Sequence, residues 1–87
     1  METLEQKVKR ILVEYFDENE IQFDDNPDGR VSGFIISEKF LDVDDLERQI
    51  KISGILRKSL SVPEQKKVMG FFPFTPEEYQ AYREPSL

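Results

Sequence analysis

The sequence predicts an α+β domain: a three-stranded mixed sheet with helices packed mainly on one face, in the order α-β-β-α-β-α. Three observations carry this prediction. Apolar residues recur with a helical period in two separate stretches. Between them lie two alternating segments joined by strong turn chemistry. After the second helical stretch comes another strand pattern, closed by a helix-start signature.

The first helix opens on Thr3 and Gln6, a capping-box pair. Leu4, Val8, Ile11, Leu12, Tyr15 and Phe16 then fall on one face of a 3.6-residue period, and the helix should fade near Asp17–Asn19. Ile21 and Phe23 alternate with Gln22 and Asp24 as a strand. Asn26-Pro27-Asp28-Gly29 is the turn, because Pro presets φ and Gly accepts a positive φ. Val31 to Ile36 is the return strand, in which Gly33 signals a bulge or a close backbone approach.

Ser37 to Leu41 connects, with Phe40 and Leu41 as anchors. Asp42 or Asp44 caps the second helix, and Asp44, Asp45 and Glu47 suit its positive N-terminal end. Its apolar set is Leu46, Ile50, Ile52, Ile55, Leu56 and Leu60, which covers more than half the circumference. Either another element covers the extra stripe at Ile52 and Ile55, or that stripe meets a partner. Ser61-Val62-Pro63 ends this helix region. Lys67 to Phe74 is the third strand, with Val68, Gly70, Phe72 and Phe74 on one face and Met69 and Phe71 on the other. Pro73 places its end at a sheet edge or just outside the ladder. Thr75-Pro76-Glu77-Glu78 starts the last helix, which Tyr79 and Tyr82 pack back on the sheet.

At 87 residues the chain supports one hydrophobic core and not two, so it reads as a single domain with a core from about residue 3 to 83 and a tail at 84–87. It has no histidine and no cysteine, which excludes imidazole, thiol and Cys/His-ligated metal chemistry. Without disulfides, and with Glu2 where a signal peptide would be basic, the expected location is cytoplasmic. No apolar run approaches the ~18–20 residues of a membrane span.

The net charge of −6 argues against a general grip on phosphate backbones. Its distribution is uneven. From Ile11 to Glu47 twelve acids face two bases, a net of −10, whereas from Arg48 to Lys67 six bases face one acid, a net of +5. The sign reverses inside the second helix.

The element order resembles the BolA family, whose members share an αββαβ core similar to the type II KH fold. Phe40 followed by Leu46, Arg48, Ile52 and Leu56 looks like the family's run from an aromatic residue into its Arg-His helix, and Thr75-Pro76-Glu77-Glu78 resembles its closing Thr-Pro-Glu segment. The departures fall on the family's metal ligands. Arg48-Gln49 stands where the family has Arg-His, no histidine occurs near Lys67-Val68, and Asn26-Pro27-Asp28 replaces the Cys or His of the hairpin loop. The resemblance therefore implies the fold, but not the [2Fe–2S] cluster that BolA proteins share with monothiol glutaredoxins.

Three functional expectations follow. The first is a non-catalytic protein-interaction or regulatory module without metal or other cofactor, meeting an unidentified protein partner through Arg48, Lys51, Ile52, Ile55, Arg57 and Lys58. The alternative is a nucleic-acid regulator using the same basic helix with Lys66 and Lys67, although no aromatics interleave with these bases and no GxxG loop is present. The third is weak Ca²⁺ binding at Asp24, Asn26 and Asp28, which match the first half of an EF-hand loop; Ile35 stands where its closing Glu is required. Adjacent acids such as Asp24/Asp25 and Glu77/Glu78 diverge on a strand or a helix, so no catalytic dyad is expected.

Overall fold

The computed structural model of the chain describes residues 1–84, so the last three residues of the expected tail lie outside the described part. Helix α1 spans Leu4–Leu12, and its capping box forms as expected, with Thr3 and Gln6 each satisfying the other's backbone N–H. The helix ends at Leu12 rather than near Asp17, because the chain turns through Val13–Phe16 to bury Phe16 beside Phe40. Tyr15, expected on the apolar face, is left in that turn, 41% exposed.

Strands β1 (Ile21–Phe23) and β2 (Val31–Ile36) pair antiparallel, with Gly29 in the connecting turn at φ 83°. Gly33 marks a close approach. A Cβ there would sit 2.0 Å from the Gln22 carbonyl oxygen, so only glycine lets the two strands meet at this point. A single 3₁₀ turn at Glu38–Phe40 drops Phe40 into the core, while Leu41, its expected fellow anchor, points out at 64% exposure.

Helix α2 spans Asp45–Ser59. The chain then makes a short helix that was not expected, α3, Val62–Lys67. Ser61 and Glu64 close a reciprocal capping box around it. Strand β3 (Val68–Phe74) runs parallel to β2, so the sheet order is β1-β2-β3 with β2 in the centre. Helix α4 (Pro76–Arg83) follows, capped by Thr75 and Glu78. The expected α+β order thus holds, with α3 inserted before the last strand.

One core fills the first face of the sheet. Val8, Ile11 and Leu12 of α1 and Ile52, Ile55 and Leu56 of α2 pack on Ile21, Val31, Ile35 and Phe71. β3 does not alternate cleanly. Val68 pairs with Val31, but Gly70 pairs with the next residue, Ser32, so Met69 is extra. This bulge, with Gly70 at φ 132°, returns Val68 to the core face beside Phe71 instead of grouping it with Phe72 and Phe74. On the opposite face α4 lays Tyr79 and Tyr82 over Phe34 and Phe74, with ring centroids 5.3 to 6.3 Å apart. Phe72 stacks at the rim of that group and stays 57% exposed.

Candidate functional site

The residues expected to meet a partner divide between the inside and the outside of the molecule. Ile52 and Ile55 are 3% and 8% exposed and belong to the core. They are not available to a partner, because α1 and the sheet cover the stripe they form. The apolar residues that α2 leaves outside are Leu46 and Ile50, at 65% and 61% exposure.

Arg48 is also a structural residue. Its side chain is only 6% exposed. Nε donates to the Val43 carbonyl at 2.7 Å, Nη1 to the Pro73 carbonyl at 3.1 Å, and Nη2 to the Phe40 carbonyl at 2.8 Å. The two terminal nitrogens also fork onto the Glu78 carboxylate at 2.6 and 3.3 Å. The guanidinium lies 5.6 Å from the Phe40 ring centre. Arg48 therefore ties the start of α2, the end of β3 and the start of α4 together. The hydrogen bond from Arg48 holds the Glu78 carboxyl below its ordinary value, and the same bond raises Arg48.

The remaining bases do not form one patch. Lys51 lies over the Phe16 ring on the α1 side of the helix. Lys67 lines a hollow with Thr3, Glu5, Asn26 and Gly29. Arg57 lines a groove on the opposite flank of α2. Lys58 and Lys66 are exposed. Among the described residues, none of Lys51, Arg57, Lys58, Lys66 and Lys67 enters an ion pair, whereas Glu64, the acid among them, is engaged by Lys7 at 3.0 Å.

The groove runs between α2, α3 and β3 and has a volume of about 320 Å³. Ile52, Leu56, Val68 and Phe71 form its buried or half-buried floor, and Gln49, Ser53, Arg57, Gln65 and Met69 its walls. Gly70 lies at its mouth, where a Cβ would find open space. Met69, pushed out by the bulge, is 63% exposed. On the helix side, Leu46, Ile50, Ser53 and Arg57 recur at i, i+4, i+7 and i+11 as one stripe of α2, and of these Ser53 and Arg57 line the groove. The sequence held this signal in the breadth of the α2 apolar set. Periodicity shows that a helix has apolar residues to spare, but not which of them the sheet will leave uncovered.

The acidic hairpin does not assemble a cation cage. Asp24 accepts from the Ser32 hydroxyl at 2.8 Å, and Asn26 turns its amide nitrogen to that same hydroxyl at 2.9 Å. Asp28 accepts from the Arg30 backbone N–H at 3.1 Å and faces its guanidinium at 3.5 Å. The three side chains are thus committed to their own turn, and among the described residues no group of three acidic side chains converges as a metal site. No buried side-chain nitrogen or oxygen among the described residues lacks a hydrogen-bond partner. None of their helices is long and apolar enough to cross a membrane.

Comparison of the chain with protein-family models, with curated proteins and with solved structures found no match.

Proposed function

We propose that this chain is a non-catalytic protein-interaction module of BolA-like architecture that docks a protein partner on the outer stripe of α2 and the adjoining groove. One observation carries the reading. Leu46 and Ile50, one turn apart and both about two-thirds exposed, lie on the same stripe of α2 as Ser53 and Arg57, which wall a groove with an apolar floor. Scattered exposed apolar residues need no explanation, but neighbouring ones along a groove mark an interaction surface. The non-catalytic part rests on chemistry. The chain offers no imidazole or thiol, its acids are capped, paired or solvated, and among the described residues no orphaned polar group is aimed into a hollow.

The test is affinity capture from lysate with the native chain and with a Leu46→Asp/Ile50→Asp double variant. Both positions are exposed, so the variant keeps its melting temperature within a few degrees and loses its captured proteins. Unchanged capture by the folded variant would sink the reading. The nucleic-acid alternative is weakened by the division of its bases over three surfaces. A gel shift at two salt concentrations decides it, since phosphate binding must weaken steeply as salt rises. No shift at low salt removes that alternative.

A further inference from the structure

We propose that the partner fitted by the α2 stripe is a second copy of this chain, docked about a two-fold axis with the two α2 helices antiparallel. This inference rests on the docking reading above and names its partner. The argument is the self-complementarity of one helix. α2 is 15 residues long. Asp44, Asp45 and Glu47 crowd its first turn, Arg57 and Lys58 its last, and Leu46 and Ile50 lie exposed along the stripe that joins them. A surface that is negative at one end, apolar between and positive at the other matches its own image when turned end for end.

The register follows from the spacing. An axis passing between Ile50 and Ser53 sets Ile50 against the second copy's Ser53 and Leu46 against the second copy's Arg57. The methylene stem of Arg57 then covers Leu46, and its guanidinium reaches the flanking Asp45 and Glu47. Lys58 lies on the same flank of the stripe as the second copy's Glu47. Ser53 is small at the point where the helices cross, so the backbones can approach closely. Each charged contact occurs twice by symmetry. Among the described residues Glu47, Arg57 and Lys58 have no ion pair within the chain, so docking takes nothing from the monomer. Asp45 comes no closer than 3.9 Å to Arg48.

The stripe from Leu46 to Arg57 measures about 17 Å at 1.5 Å per residue, short for the interface of a tight homodimer, and association is expected in the micromolar-to-millimolar range. The net charge of −6 opposes it at low ionic strength. The measurement therefore belongs near 0.15 M salt, where the Debye length is about 8 Å.

Sedimentation of the full chain across that concentration range should show a monomer–dimer equilibrium. Ile50→Asp should abolish the dimer. Arg57→Glu should weaken it about tenfold, because two exposed pairs are each lost and replaced by repulsion. Glu47→Lys should weaken it to a similar degree, and the two charge reversals combined should restore it. A dimer that ignores Ile50→Asp, or that the combined reversal fails to restore, overturns the geometry. A chain that stays monomeric throughout, yet loses lysate capture in the Leu46→Asp/Ile50→Asp variant, overturns the self-partner and leaves the docking reading standing. A monomer whose capture is also unchanged overturns both.

Discussion

Replacing Arg48 by Ala should cost this domain about 3–5 kcal/mol, far more than replacing Glu78, although the two form an ion pair in which Arg48 is only 6% exposed. The asymmetry follows from where the bonds go. Arg48 satisfies the carbonyls of Phe40, Val43 and Pro73 as well as the carboxylate of Glu78. Removing it orphans acceptors in an enclosed site, at about 1–3 kcal/mol each, less what entering water recovers. Glu78 is 46% exposed on its side chain, so water screens the pair, and with the loss of the capping bond it accepts from the Thr75 N–H at 2.8 Å Glu78→Ala should cost about 1–2 kcal/mol. A loss of 3–5 kcal/mol is a large share of the ~5–15 kcal/mol available to a small domain. Urea denaturation of the native chain, Arg48→Ala, Arg48→Lys and Glu78→Ala measures this directly. Arg48→Lys keeps the charge but not the fork, and should recover less than half of the loss. A cost for Arg48→Ala below about 1 kcal/mol, or equal to that for Glu78→Ala, would refute the view that Arg48 acts through the three carbonyls.

Two further outcomes follow from the same geometry. Gly33→Ala should cost about 2 kcal/mol or more in urea denaturation, because the added methyl meets the Gln22 carbonyl oxygen at 2.0 Å and the strands must part. Acid should unfold the chain partly through Glu78: its carboxyl is held below the ordinary 4.5, so the stability it contributes is complete above that value and is lost as pH falls through the lower folded value. Glu78→Gln should flatten that acid limb of the melting curve, and an unchanged limb would contradict the Arg48–Glu78 bond.

Local chemistry was legible in the sequence, and choices made by tertiary packing were not. The caps at Thr3 and Thr75, the turn at Gly29, the close approach at Gly33 and the edge position of Pro73 each follow from one residue's backbone preference. Helix α3 was equally available, since Ser61-Val62-Pro63-Glu64 has the same capping-box spacing as Thr75-Pro76-Glu77-Glu78; Pro63 instead suggested an ending. The bulge at Met69 depends on how β3 registers against β2, which no single strand records. Arg48 is polar on a helix, and its burial depends on three carbonyls brought in from separate segments. For α2, the sequence left open whether Ile52 and Ile55 were covered or met a partner; packing covers them and leaves Leu46 and Ile50 outside.

The outer edge of β3 explains why that flank is a helix face and not a strand. β3 ends the sheet, and a bare edge strand invites another chain to add to it. The Phe74 carbonyl points inward and accepts from the Ser37 N–H, so the carbonyls of Phe71 and Pro73 face outward. Gln49 donates to the first at 3.1 Å and Arg48 to the second, while Pro73 has no N–H to offer. What remains is the segment around Met69, which the bulge bends out of register. α2 therefore has three tasks around its circumference. Ile52, Ile55 and Leu56 close the core, Arg48 and Gln49 seal the sheet edge, and Leu46, Ile50, Ser53 and Arg57 are left exposed. This threefold division accounts for an apolar set wider than a one-sided surface helix requires. It also predicts that a partner added by strand pairing at β3 would have to displace Gln49 and Arg48 first, at the cost of the contacts that hold α4 in place.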